Sequence, residues 1–171
     1  MNRKNFIAFI ILICFLVPSS SSLAFYDQKE TLRGLTGVKV VVENIPPDIE
    51  RLGLTKKDVQ NDVEAKLRKF GLKIYPDFKP PSMTSLYVNI HVLNPPGAKT
   101  VIVYSINIML FETAYLKRGV GTVGDLKEVR AADWVTGTVG LVGVNRIGDI
   151  RNRVDLQLDK FISDYLAANP K

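Results

Sequence analysis

The chain has 171 residues, with 23 Lys or Arg against 17 Asp or Glu for a net charge of +6, one histidine and one cysteine. Basic residues this few and this scattered exclude the concentrated stripe that nucleic-acid binding leaves in a sequence, and a single cysteine excludes an intramolecular disulfide and a thiolate metal cluster. A chain of this length buries roughly two-thirds of its unfolded surface, enough for one self-sufficient core and no second domain.

Arg3 and Lys4 precede an uncharged apolar run from Phe6 to Val17, which is followed by Pro18, four serines, Leu23 and Ala24. Basic, then apolar, then small is the order of a secretory signal, with cleavage expected after Ala24. The run is 12 residues long, short of the about 20 that a helix needs to cross a bilayer, so it reads as a signal peptide and not as an anchor. Cys14 lies inside the run and follows Ile13, where a lipoprotein signal needs a small residue. Cleavage removes that cysteine together with Arg3 and Lys4, leaving 21 basic and 17 acidic groups in residues 25–171, a charge of +4. Such a mild excess favours solubility and weak attraction to anionic surfaces. Export without disulfides points to the periplasm or the medium of a bacterium.

Val38 to Glu43, VKVVVE, is a β-branched run between Gly37 and Asn-Ile-Pro-Pro, which predicts a buried strand. Thr55 stands three residues before Asp58, the spacing of a capping box, with Leu54 and Val59 placed for a hydrophobic staple. Val59, Val63, Leu67 and Phe70 then recur at helical spacing, and Gly71 is placed as a left-handed cap. Leu72 to Tyr75 reads as a short strand stopped by Pro76. Leu86, Val88, Ile90 and Val92 alternate with Tyr87, Asn89 and His91, a strand with two different faces. Ile102, Tyr104, Ile106, Ile108 and Leu110 repeat the pattern, and this strand is expected to run towards Leu116. Pairing Val92 with Ile102, Ile90 with Tyr104, Val88 with Ile106 and Leu86 with Ile108 makes each core-facing pair apolar, whereas a one-residue slip turns the set outward. A further strand is expected around Val129 to Val139, containing Trp134. The last helix begins near Asn145 and ends before Asn169-Pro170, with Ile147, Ile150, Val154, Leu158, Phe161 and Tyr165 inward and Asp149 and Arg153 as an exposed i,i+4 pair.

The order is β-α-β-β-β-β-α. Two amphipathic helices need one apolar sheet face to cover, so the expected fold is an α+β two-layer sandwich, a mainly antiparallel four- to five-stranded sheet with two helices packed on one face.

The signal-like N-terminus, GLTKKDVQNDVEAKLRKFGLKIY, LYVNIHVL, ADWVTGTVG and FISDYLAANPK together resemble a family of uncharacterised exported bacterial proteins, and the resemblance covers most of residues 25–171. It implies an exported domain of unknown function and carries no activity. In element order the layout is similar to small envelope domains such as the N-terminal domain of the periplasmic protein TolB and the lipopolysaccharide-assembly lipoprotein, a likeness that transmits no function.

Gly119, Gly121 and Gly124 spell G-x-G-x-x-G. A dinucleotide site needs that pattern to open a helix inside a βαβ unit, with an acid on a second strand about 20 residues on. The following DLKEVRAAD makes at most a short helix and no hydrophobic strand ending in an acid follows at that distance, so the glycines read as a hairpin tip. Gly137, Gly140 and Gly143 lie nearer to a strand-to-helix junction, where backbone amides can hold an anion, but no Walker lysine follows and the plainer expectation is close turning of the chain. His91 lacks a carboxylate on its own face to complete a nucleophilic triad with Ser105, and one histidine with scattered acids makes a zinc centre unexpected. Acid pairs of the glycosidase kind converge from distant segments, and nothing in the sequence selects one. No cofactor is expected.

What stands out is the second face of the central hairpin: Tyr87, Asn89, His91, Val103, Ser105, Asn107, Met109 and Phe111. Mixed polar, aromatic and apolar groups without charge resemble the centre of a protein interface. The leading expectation is therefore a non-enzymatic domain binding an envelope partner or self-associating through this face. The runner-up is a module for a small amphiphile or lipid held between sheet and helices, and a hydrolase with unidentified carboxylates stands third.

Overall fold

The computed structural model describes residues 27–77, 84–94, 97, 100–116 and 127–170. The segment read as an export signal and the cluster Gly119, Gly121 and Gly124 lie outside the described residues.

Strand β1 (Gly37–Val42) leads through a single helical turn, α1 (Pro47–Glu50), into helix α2 (Lys56–Lys69) and the two-residue strand β2 (Lys73–Ile74). Then follow β3 (Ser85–Leu93), β4 (Val101–Leu116), β5 (Lys127–Gly143) and helix α3 (Ile150–Ala168). At the N-terminus of α2 the threonine half of the expected capping box forms. The Thr55 side chain accepts from the Asp58 amide at 3.1 Å, and Leu54 and Val59 are both buried. Glu50 takes a further orphan amide, that of Lys56, at 3.2 Å. Gly71 follows the helix at φ +88°, where a Cβ would be strained.

Among the described residues the strands form one sheet in the order β2-β1-β3-β4-β5. The α+β class is as expected, but the sheet is mixed and not mainly antiparallel: β1 runs parallel to both β2 and β3, while β3, β4 and β5 are antiparallel neighbours. Helix α2 carries the chain back to the starting end of the sheet before β2 begins, and such a crossover makes β1 and β2 parallel neighbours.

The β3–β4 register differs from the expected one by two residues. Val92 pairs with Tyr104, Ile90 with Ile106, Val88 with Ile108 and Leu86 with Leu110. A shift of two returns each side chain to the same face, so alternation rejects odd slips and is blind to this one. All five expected apolar residues of β4 are accordingly buried.

Helix α3 starts later than expected, because a 3-10 turn, Val144–Asp149, with Arg146 at φ −122°, precedes it. Asp149 bonds back to Arg146 at 2.8 Å in place of the expected pair with Arg153. Ile147, Ile150, Val154, Leu158 and Phe161 are buried, with Tyr165 partly so. Their stripe and that of α2, Val59, Val63 and Leu67, meet the even-numbered residues of β3 and β4 and Val38, Val40 and Val42 of β1 in one core. Arg151 grips Asp62 with two bonds, of 2.7 and 2.9 Å, and Lys66 reaches Asp155 and Asp159, both at 2.7 Å, tying the helices together at their outer rim.

Candidate binding face

Because side chains alternate across a strand, burying the even-numbered residues of β3 and β4 under the helices sends Tyr87, Asn89, His91, Val103, Ser105, Asn107, Met109 and Phe111 to the opposite face. The structure brings all eight together there, in the pairs Tyr87 with Met109, Asn89 with Asn107 and His91 with Ser105, while Val103 lies across from Leu93 and Phe111 from Ser85.

The face is graded from one side to the other. At the β1 margin burial, and after it the neighbouring Glu43 carboxylate, raises the Tyr87 phenol above its usual 10.0. Tyr87 meets Phe111 edge-on, with ring centroids 6.0 Å apart and planes at 86°. The Arg130 guanidinium lies 5.9 Å from the Phe111 ring and donates to Ser85 Oγ at 2.6 Å. Charge therefore enters at the margins, from strands that the two-strand reading did not place beside the hairpin.

Across the middle runs a polar row. Asn89 is only 9% exposed and faces Asn107. Next in the row is Gly137, where a Cβ would sit 2.7 Å from Asn107 Oδ1, so the glycine makes room for the amide. Gly137 and Gly140 are thus strand residues and form no anion-holding turn; Gly140 lies against the Tyr104 ring, which a side chain there would strike.

Towards β5 the face becomes apolar. Val135, Val139 and Leu141 join it opposite Met109, Ser105 and Val103. Their exposures of 42%, 74% and 70%, with 63% at Leu93, leave uncharged apolar side chains in contact with solvent, Val135 on one side of the polar row and Val139, Leu141 and Leu93 on the other. Sequence reasoning missed this half. The signal was present as the alternation Val135, Gly137, Val139, Leu141, but without the strand order nothing placed it beside the hairpin.

His91 is exposed and stands directly across from Ser105, and the facing stretches of β3 and β4 supply no carboxylate on that side. Elsewhere, a bulge after Leu110 leaves Asp133 as an extra residue between Trp134 and Ala132. Burial raises the pKa of Glu112 above the ordinary 4.5, and the charge of Asp133 raises it further against a hydrogen bond from Thr84. Among the described residues no three His, Cys, Asp or Glu side chains converge as a metal ion requires, and no helix is long and apolar enough to cross a membrane.

A groove of about 430 Å³ lies between α2 and α3, and its rim carries Asp62, Arg151, Asn152 and Asp155. Comparison with protein-family models and with curated proteins finds no match to this chain. Its function is therefore read from the geometry.

Proposed function

We propose that this chain is an exported, non-enzymatic binding domain that engages a protein partner of the bacterial envelope through the uncovered face of its sheet. The observation carrying this reading is the exposure of Leu93, Val139 and Leu141, with Val135 across the polar row, beside the half-buried Val103, Met109 and Phe111. Both long helices spend their apolar stripes on the other face, so these side chains gain no cover from them. Large apolar patches rimmed by polar groups mark interaction sites, and here Glu43, Arg130 and the asparagine row supply the rim. The secretory character of residues 1–24 and the resemblance to exported proteins support an envelope location.

An amphiphile between sheet and helices is less well supported. Ile106, Ile108, Leu110, Val63 and Leu67 are fully buried there, and the groove outside them is charged. The face reading is tested by placing charges on it with Tyr87→Lys and Phe111→Glu together. The tagged variant, with unchanged far-ultraviolet circular dichroism, should lose a protein that the parent chain captures from envelope extract. An identical set of captured proteins overturns the proposal.

A further inference from the structure

The two edges of the sheet are finished differently. β2 is two residues long, carries Lys73 and is followed by Pro76, the short, charged and proline-bounded form that discourages pairing with another strand. β5 is 17 residues long and has no charged residue from Trp134 to Val144.

Its outward side can be assigned residue by residue. The register with β4 is unbroken from Trp134 to Gly143, and Val144 donates to the Thr100 carbonyl at 3.0 Å. Even-numbered residues thus turn their backbone groups to β4, and odd-numbered ones turn theirs outward. At one end the N-terminal segment covers that edge, since the Val135 amide donates to Gln28 Oε1 at 2.7 Å and the Thr31 hydroxyl reaches the Asp133 carbonyl at 3.4 Å. Beyond it, the amides and carbonyls of Gly137, Val139 and Leu141 find no partner among the described residues. The two most exposed large apolar residues of β5, Val139 and Leu141, belong to this same stretch.

We infer that a second copy of this chain adds antiparallel to the β5 edge, with Val139 on the two-fold axis, so that one sheet runs through both copies. The inference rests on the reading of the chain as a binding domain and names one partner for it. The segment is self-complementary in size. With Val139 across from its own copy, Gly137 faces Leu141 and Thr138 faces Gly140, large against small on both faces. It is also self-complementary in charge. A charged residue near the axis would meet itself, and like charges directly opposite destabilise a pair, whereas this segment has none. Outward backbone groups at 137, 139 and 141 then bond to 141, 139 and 137 of the other copy.

The test uses the full chain carrying Cys14→Ser, which leaves it without cysteine. Sedimentation velocity should show a monomer becoming a dimer as concentration rises through the micromolar range, since an interface of this extent lies at the weak end. Val139→Cys in that background should give a disulfide-linked dimer on mild oxidation, because hydrogen-bonded antiparallel partners have Cα atoms about 5.5 Å apart, within disulfide reach. Val103→Cys, on the same face but one strand inward, should stay monomeric. Val139→Pro deletes an outward amide without touching the β4 ladder and should abolish the dimer; if it does not fold, Val139→Lys serves instead. A monomer at all concentrations, or linkage through Cys at 103 and not at 139, overturns the inference. The charged pair at Tyr87 and Phe111 separates the two ideas. It should leave this dimer intact, so a chain that never dimerises yet loses its envelope partner with that variant overturns edge pairing alone.

Discussion

Asp164 shows how a polar residue becomes part of a core. It is 8% exposed, and its Oδ2 accepts from the Trp134 indole at 3.0 Å and from Lys160 at 2.8 Å. Trp134 is fully buried and meets Phe161 edge-on at 5.0 Å, so its N–H needs a partner in a dry place. Burial opposes ionisation of Asp164, but the bonds from Lys160 and Trp134 and the charges of Lys160 and Lys29 prevail and hold its pKa below the ordinary 3.8. Asp164→Ala should cost about 1–3 kcal/mol in urea unfolding at pH 7 by stranding the indole. Asp164→Asn should keep an acceptor and lose the charge. A carboxylate whose pKa is lowered on folding stabilises above its unfolded value and ceases to do so as pH falls through its folded value. The gap between parent and Asn variant should therefore be constant above about pH 5 and close progressively below it. Nothing in the local sequence marks Asp164 as buried, because the indole that draws it inward sits on another element 30 residues away.

Within single elements the sequence was informative. Most of helix α2 was legible, since Thr55, Asp58, Leu54, Val59 and Gly71 act over one or two turns, but Phe70, expected in the apolar stripe, sits at the C-cap and is exposed. Thr55→Ala should lower stability by about 1 kcal/mol, measured by thermal unfolding, with the loss confined to the cap if amide exchange quickens first in Lys56 to Val59. The strands β3 and β4 were legible as faces. Between elements the sequence was silent. The two-residue displacement of β4 satisfies the same alternation, and the start of α3 moved because Arg146 and Asp149 close a turn on each other. The glycines of β5 read as a turn since the feature that keeps them in a strand, Tyr104 lying over Gly140, comes from the neighbouring strand.

At the scale of the molecule, the candidate face was half visible. Its eight residues on β3 and β4 were found by period alone, while its apolar border on β5 and its charged margin at Glu43 depended on a strand order that no local signal encodes. The same order divides the sheet by how far apart its partners lie along the chain. β3, β4 and β5 follow one another, whereas β1 must insert between β2 and β3, pairing Val40 with Leu86 and Val38 with Ile74. Local pairings close at less entropic cost than distant ones and form sooner. In stopped-flow refolding, Ile106→Val should mainly slow folding, with a φ-value above about 0.5, whereas Val40→Ala should mainly speed unfolding, with a φ-value under about 0.3. Interactions made after the rate-limiting barrier set how long a native protein persists. If the φ-values fall in that order, the lifetime of the fold is governed by the late grip on β1, and the long hairpin that carries the candidate face is the part assembled first.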